Sequence, residues 1–304
     1  MRTGKAALAA ALAMAILAPG AGWGAEEDFS MAAEESATRL SQKGESASGR
    51  KNHAKALALH EAATRARMAM DDAAGAMVEL YNSAVDLMRM GKTAEAEGKL
   101  AQALALFDDE AQMGLGREKD KRLIEAASLA CFLKGMILAG SGATVEAEKW
   151  SAKAMSHCQQ AGCRFKSRIM NQQGRLAMDK KDHARAGKLA AAALDAAKSE
   201  ESPVEMANSI RLLAETAEAK GDVKKAADDY AKALAIDREL KLGSKIAMDL
   251  LGLARCQAKM ARMEKALALA NRALAVSQAA GYDKGAKEAA TLADKYKQNP
   301  LPSR

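Results

Sequence analysis

The sequence predicts an all-α protein, a solenoid of antiparallel helix pairs, and three observations carry the prediction. Of four prolines, Pro19 stands near the start, Pro300 and Pro302 close the chain, and only Pro203 falls between, in a sequence rich in helix formers such as Ala and Met. Alternating runs rich in Val, Ile and Thr, the mark of strands, are absent. A skeleton of small residues also returns at intervals of about forty residues, and a fixed period of roughly 20 to 50 marks a repeat architecture.

The first element is a leader. Met1-Arg2-Thr3-Gly4-Lys5 is basic, the run from Ala6 to Ala18 is apolar, and Pro19-Gly20 breaks it ahead of the acidic stretch Ala25-Glu26-Glu27-Asp28. A basic start, a short apolar core and a small-residue exit are the layout of a secretory signal peptide. The core is well short of the roughly 20 residues that span a bilayer. Gly22 and Gly24 place cleavage after residue 24, giving a 1–24 signal peptide and a mature start at Ala25, and no cysteine follows the core to take a lipid anchor. The expected destination is the periplasm, reached across the inner membrane; no later stretch is expected to be apolar for long enough to cross a membrane, or to insert stably in one. Cleavage removes Arg2 and Lys5 from 46 basic residues, leaving 44 against 39 acidic ones, a mild surplus. With both signs interspersed and only 3% aromatic residues to stack on bases, nucleic acid is not an expected partner.

Residues 25–50 are rich in Ser, Gly and Glu and are expected to be flexible. The helical repeat domain is expected over 51–282. It opens with one extra Ala-rich helix at about Asn52–Met70, its status as half of a degenerate repeat left open, and five recognisable repeats follow from about residue 76. The clearest contains Leu213-Ala214, Gly221-Asp222, Ala226, Tyr230, Ala233 and Ile236. Leu253-Ala254, Ala266, Ala270, Ala273 and Val276 follow in register. Gly174, Ala186, Ala190, Ala193 and Ala196 precede it, before them Gly135, Gly142, Ala147 and Ala154, and first Ala84, Gly91, Ala96, Leu100, Ala103 and Leu106. Two helices approach closely only where facing side chains are small, so Ala214 is expected near Ala226, with Leu213, Tyr230 and Ile236 filling the gap to the next unit.

This skeleton resembles the tetratricopeptide repeat, in which a Leu–small pair on a first helix is followed by a turn, then by Ala, an aromatic and another Ala at fixed offsets. The resemblance is to a long-period variant of about forty residues. It implies a right-handed superhelix whose first helices line a concave groove. Stop and start signals between units are Ser202-Pro203 with Glu205, Gly243 with Ser244, and Gly281 with Asp283. Residues 114–122 read as a charged insertion between the first two units. Residues 283–297 read as a polar helix that closes the last apolar face, and 298–304 as a tail. A long coiled coil is disfavoured because turns interrupt every helical run.

Export would place the four cysteines in an oxidising setting. Cys158 and Cys163 flank a helix end and the turn at Gly162, which makes a local disulfide feasible; Cys131–Cys158 is the rival pairing, and Cys256 reads as a buried thiol. His157, Cys158 and Cys163 form one cluster of metal-binding residue types, at a spacing that fits no usual zinc pattern, so no metal is expected. Hydrolase, nucleotide-binding and kinase motifs are absent, so the sequence predicts neither an enzyme nor a cofactor.

The resemblance puts the functional surface on the first helices. By register, the groove positions are Tyr81 and Asn82, then Phe132 and Met136, then Arg168, Asn171 and Arg175, then Asn208, Arg211 and Glu215, and last Arg255 and Lys259. Arg168, Asn171 and Arg175 share one helix face, and guanidinium forks pair with carboxylates. The implied function is a scaffold or adaptor that binds a protein or peptide, acidic or carboxylate-bearing, in the groove. The alternative is a structural subunit of an envelope assembly that self-associates through outer faces or solenoid ends.

Overall fold

A computed structural model describes residues 23–113 and 120–298. Residues 1–22 of the expected leader, residues 114–119 of the expected insertion, and the tail from 299 lie outside the described residues. Among those described there are thirteen helices and no strand, as the scarcity of proline and of alternating runs predicts. The chain divides into two compact units, Met1–Ala130 and Cys131–Arg304.

In the first unit, α1 (Trp23–Gly49), α2 (His53–Ala69), α3 (Ala73–Arg89) and α4 (Thr93–Met113) pack each against the next. The expectation of a flexible segment over 25–50 is corrected here, because α1 covers it. Its Ser and Gly are scattered singly among Ala, Glu and Lys, and α1 buries Ala37 and Ala47. Gly44 leaves room for the His60 ring, which a Cβ at that position would approach to 2.6 Å. The extra helix expected near 52–70 is therefore the second of a pair, α1 with α2.

The boundary between the units falls within α5 (Lys121–Gly140). By length and composition this helix could cross a membrane, with a mean hydropathy of 1.6, although 61% of its apolar window is buried in the fold. That corrects the expectation that no stretch after the leader qualifies.

The second unit continues with α6 (Thr144–Ala161), α7 (Lys166–Asp179), α8 (His183–Ser199), α9 (Pro203–Ala219), α10 (Val223–Glu239), α11 (Gly243–Lys259), α12 (Met263–Ala280) and α13 (Asp283–Gln298). Each packs on its successor. The first helices of successive pairs also touch, α7 on α9, α9 on α11 and α11 on α13, which is the stacking of a solenoid. The polar helix expected over 283–297 is α13, and its buried face is Ala289, Ala293 and Tyr296.

The alanine register is the seam of this stack. Ala147 and Ala154, Ala186, Ala190 and Ala193, Ala214 and Ala226, and Ala254, Ala266, Ala270 and Ala273 are all fully buried. Ala214 and Ala226 share a cluster with Tyr230, which reaches across to Cys256 of the following pair.

The turns before α8 and α10 each end one helix and begin the next within three residues. The Asp182 and Asp222 amides donate back to the Ala177 and Ala217 carbonyls, both at 2.9 Å, while Lys181 and Gly221 hold left-handed φ of 60° and 85°. The same aspartates then accept from the amides of Arg185 and Lys225 as N-caps. Pro203 opens α9 at its first turn, as expected.

Gly243 departs from its expected role. Lys241 takes the left-handed position (φ 56°), and Gly243 lies inside the first turn of α11, where a Cβ would come within 2.9 Å of Ala280 Cβ. Its lack of a side chain serves the close approach of α11 to the end of α12. Ser244 follows it into the helix and is not the cap.

Cys158 and Cys163 are at disulfide distance, with Cα atoms 5.0 Å apart, across the left-handed turn at Gly162. The rival pairing Cys131–Cys158 is not formed, and Cys256 is buried. No cluster of metal-binding side chains occurs among the described residues.

Candidate functional site

Three helices of the second unit, α7, α9 and α11, carry eight of the twelve expected groove residues, Arg168, Asn171, Arg175, Asn208, Arg211, Glu215, Arg255 and Lys259, in one polar set. The geometry differs from a ladder of open cations, because Arg168, Arg175, Arg211, Arg255 and Lys259 are each paired with an acid of the fold.

Glu205, buried near the start of α9, accepts from Arg168 Nε at 3.2 Å, from Asn171 Nδ2 at 3.1 Å and from Asn208 Nδ2 at 3.1 Å. It thereby ties α7 to α9. Arg175 on α7 pairs with Glu215 on α9 at 3.4 Å. One step on, Arg211 Nε donates to Asp249 Oδ1 on α11 at 2.6 Å, and Arg211 Nη2 donates to Asp237 on α10. Arg255 on α11 donates back to Glu218 on α9 at 3.2 Å and forward to Glu288 on α13 at 2.9 Å. Lys259 also reaches Glu218, at 3.0 Å. These charge-assisted bonds join residues about one repeat apart, so they fix the stacking register of neighbouring pairs.

Three expected groove positions are corrected by burial. Arg211 is fully buried, because two carboxylates draw its guanidinium inward. Asn171 is buried and saturated by Glu205 and by Ser209 Oγ, 3.0 Å away. Phe132 is buried, and its carbonyl accepts from Gln172 Nε2 at 3.1 Å. Met136, Arg168, Arg175, Asn208, Glu215, Arg255 and Lys259 keep exposed or half-exposed side chains. Tyr81 and Asn82 are half-buried on α3 of the first unit.

The residue that register reasoning missed is Lys245. It sits on α11 in the register position that Glu205 occupies on α9, and its Nζ donates to Asn208 Oδ1 at 2.9 Å. Among the described residues it makes no ion pair. Burial, with Arg211 and Arg175 adding like charge, pushes its ammonium down to about 8. The signal in the sequence was a reversal of charge at a shared register position.

Electrostatics beneath the face follow from crowding. Burial, opposed by Arg211 and reinforced by Asp237, pushes Asp249 up to about 7. Arg211 is held above its ordinary value, since Asp249 and Asp237 outweigh the effect of its burial. Burial also opposes the charge on Glu218, yet Arg255, Lys259 and the Tyr230 hydroxyl hold it below the ordinary carboxylate range.

Asp249 therefore makes a testable contribution to pH dependence. An unfolded aspartate titrates near 3.9, so between about 4 and about 7 the folded chain holds a proton that the unfolded chain lacks. Stability from this group is present below the unfolded value and falls as pH rises through the folded one. The melting temperature is expected to decline between pH 5 and pH 7, a window set by those two values. The Asp249→Asn variant should flatten the decline, and an identical slope in both proteins would reject the assignment.

No family model and no curated protein matches the sequence. Solved structures do. The chain is similar to the STAND signal-transduction ATPase with a tetratricopeptide repeat sensor from Pyrococcus horikoshii, at 14% identity and TM-score 0.60, over 89% of this chain and 43% of that one. A Rap protein complexed with Competence and Sporulation Factor is similar at 13% identity and TM-score 0.58, over 85% and 74% of the two chains. Pseudomonas aeruginosa pilF is similar at 15% identity and TM-score 0.52, over 84% and 97%. At these identities the likeness shows the fold, an α-solenoid of tetratricopeptide type.

Proposed function

From a fold of tetratricopeptide type, we propose that this chain is an exported, periplasmic scaffold or adaptor without catalytic activity, holding a protein or peptide on the first-helix face of its second unit. The carrying observation is the cross-braced frame of Glu205, Glu215 and Glu218, which holds the exposed or half-exposed Arg168, Arg175, Asn208, Arg255 and Lys259 at set positions. Such preorganisation lowers the ordering cost of binding. An acidic or carboxylate-bearing segment suits it, because Lys245 adds a cation that makes no ion pair among the described residues. The Rap complex supports a protein or peptide partner by analogy of fold. Export is supported by the leader layout of the first 24 residues.

Two measurements test the reading. Affinity capture from the envelope fraction compares wild type with an Arg168→Glu and Lys259→Glu double variant. A partner recovered by wild type and lost with the variant, at unchanged melting temperature, is expected; equal recovery removes this face from consideration. N-terminal sequencing of the exported protein is expected to begin at Ala25, and an intact Met1 would overturn export by cleavage.

A further inference from the structure

The second unit holds a cavity of about 570 Å³ where the start of α12 meets the end of α13. Its size falls in the roughly 300–1,000 Å³ range of ligand cavities. One side is apolar: the half-buried Met263 and Leu267 pack against the cluster of Ala266, Ala270, Ala293 and Tyr296. The rim is cationic. Arg262 and Lys265 are exposed, about one helical turn apart, and neither makes an ion pair among the described residues. Lys297 adds a third cation from α13. Two acids temper them, Glu264 on the same rim and Asp294, whose carboxylate lies 4.0 Å from Lys297. Tyr296, which lines the cavity, is only 6% exposed, yet its hydroxyl makes no hydrogen bond among the described residues. A buried phenol ordinarily finds a partner. Burial raises this phenol above its ordinary value, so it stays a protonated donor at neutral pH. The N-cap of α12 is Arg262, whose side chain accepts nothing, so the first amides of that helix are uncapped as well.

We propose that this cavity binds an aliphatic carboxylate, with its chain against Met263, Leu267 and Tyr296 and its head among Arg262, Lys265 and the Tyr296 hydroxyl. The tail takes apolar surface out of water. The head meets donors that a carboxylate accepts from, a guanidinium fork, an ammonium and a phenol. Three cations against two acids leave a surplus of one positive charge, which matches a singly charged head better than a dianionic phosphate. A cationic head on the same tail would meet Arg262 and Lys265 as like charges. The cavity shares no residue with the first-helix face, so this inference does not rest on that face binding a partner.

Calorimetric titration of the full chain with decanoate, kept below its micelle-forming concentration, tests the site, with decyltrimethylammonium as the probe of opposite head charge. Decanoate is expected to bind at one equivalent per chain and roughly tenfold or more tightly than the cationic probe. An Arg262→Gln and Lys265→Gln double variant should weaken decanoate by roughly tenfold, and Tyr296→Phe several-fold, both at unchanged melting temperature. Arg168→Glu, on the first-helix face, should leave decanoate binding unchanged. Absence of binding, equal affinity for the two probes, or undiminished affinity in either cavity variant would each overturn the proposal. Because no protein or peptide partner is present in the assay, these outcomes are independent of whether the first-helix face binds one.

Discussion

Replacing Arg211 with leucine is expected to destabilise the protein by about 3–5 kcal/mol, the cost of breaking a buried ion pair from one side. The side chain is fully buried, and removing it leaves Asp237 and Asp249, both buried, facing each other without a counter-charge. Converting all three positions to leucine should recover much of the loss, since a well-packed apolar set often matches a buried ion network. Denaturant unfolding of the full chain checks both variants. A single variant within about 1 kcal/mol of wild type would mean that the network does not hold α9 to α10 and α11. It also follows that Arg211→Glu is unsuitable as a probe of ligand binding.

His60→Leu is expected to cost roughly 3 kcal/mol in the first unit, as a buried carboxylate loses its donor. The ring is buried with Nδ1 2.7 Å from Glu79 Oε2, and Asp86 Oδ2 stands 3.8 Å from Nε2. Asp86 is also bonded to His53 Nδ1 at 2.8 Å and to Ser48 Oγ at 2.7 Å, so the cluster joins α1, α2 and α3. Leucine would press on the recess that Gly44 leaves in α1. Amide exchange along α1 should accelerate more than along α4, and uniform protection across the unit would reject His60 as the link that docks α1. His60→Gln, which keeps a donor toward Glu79, is expected to lose less.

These two clusters show where sequence reasoning stops. The alanine seam was legible because its cause is local: only a small side chain lets two backbones approach, so the requirement reappears at each register position, as at Ala186, Ala226 and Ala266. The turns were legible where Asp and Gly play their usual roles, as at Gly221-Asp222. Lys241 in a left-handed turn was not, since a lysine gives no sign of that conformation and Gly243 stood two residues away as a decoy. For the candidate site, polarity was visible and pairing was not. Arg211 looked like the neighbour of Asn208 on an open face, yet its orientation depends on acids 26 and 38 residues away. Likewise the helix pair formed by α1 and α2 was hidden because Ser and Gly in α1 suggested looseness, while the reason for Gly44 lies on another helix, at His60.

The alanine seam carries a thermal consequence. Alanine has no rotamers to freeze, whereas ordering a methionine or glutamine side chain forfeits about 1.5–2 kcal/mol of side-chain entropy. A core lined by Ala147, Ala190, Ala226 and Ala270 is thus assembled at small entropic loss. It also buries little apolar area per residue, and the heat-capacity change of unfolding scales with that area. The stability curve of such a chain should be shallow, changing slowly between cold and warm conditions. Resistance to sliding between neighbouring pairs must then come from directional bonds such as Arg211 to Asp249, so closeness and alignment are supplied by different residues.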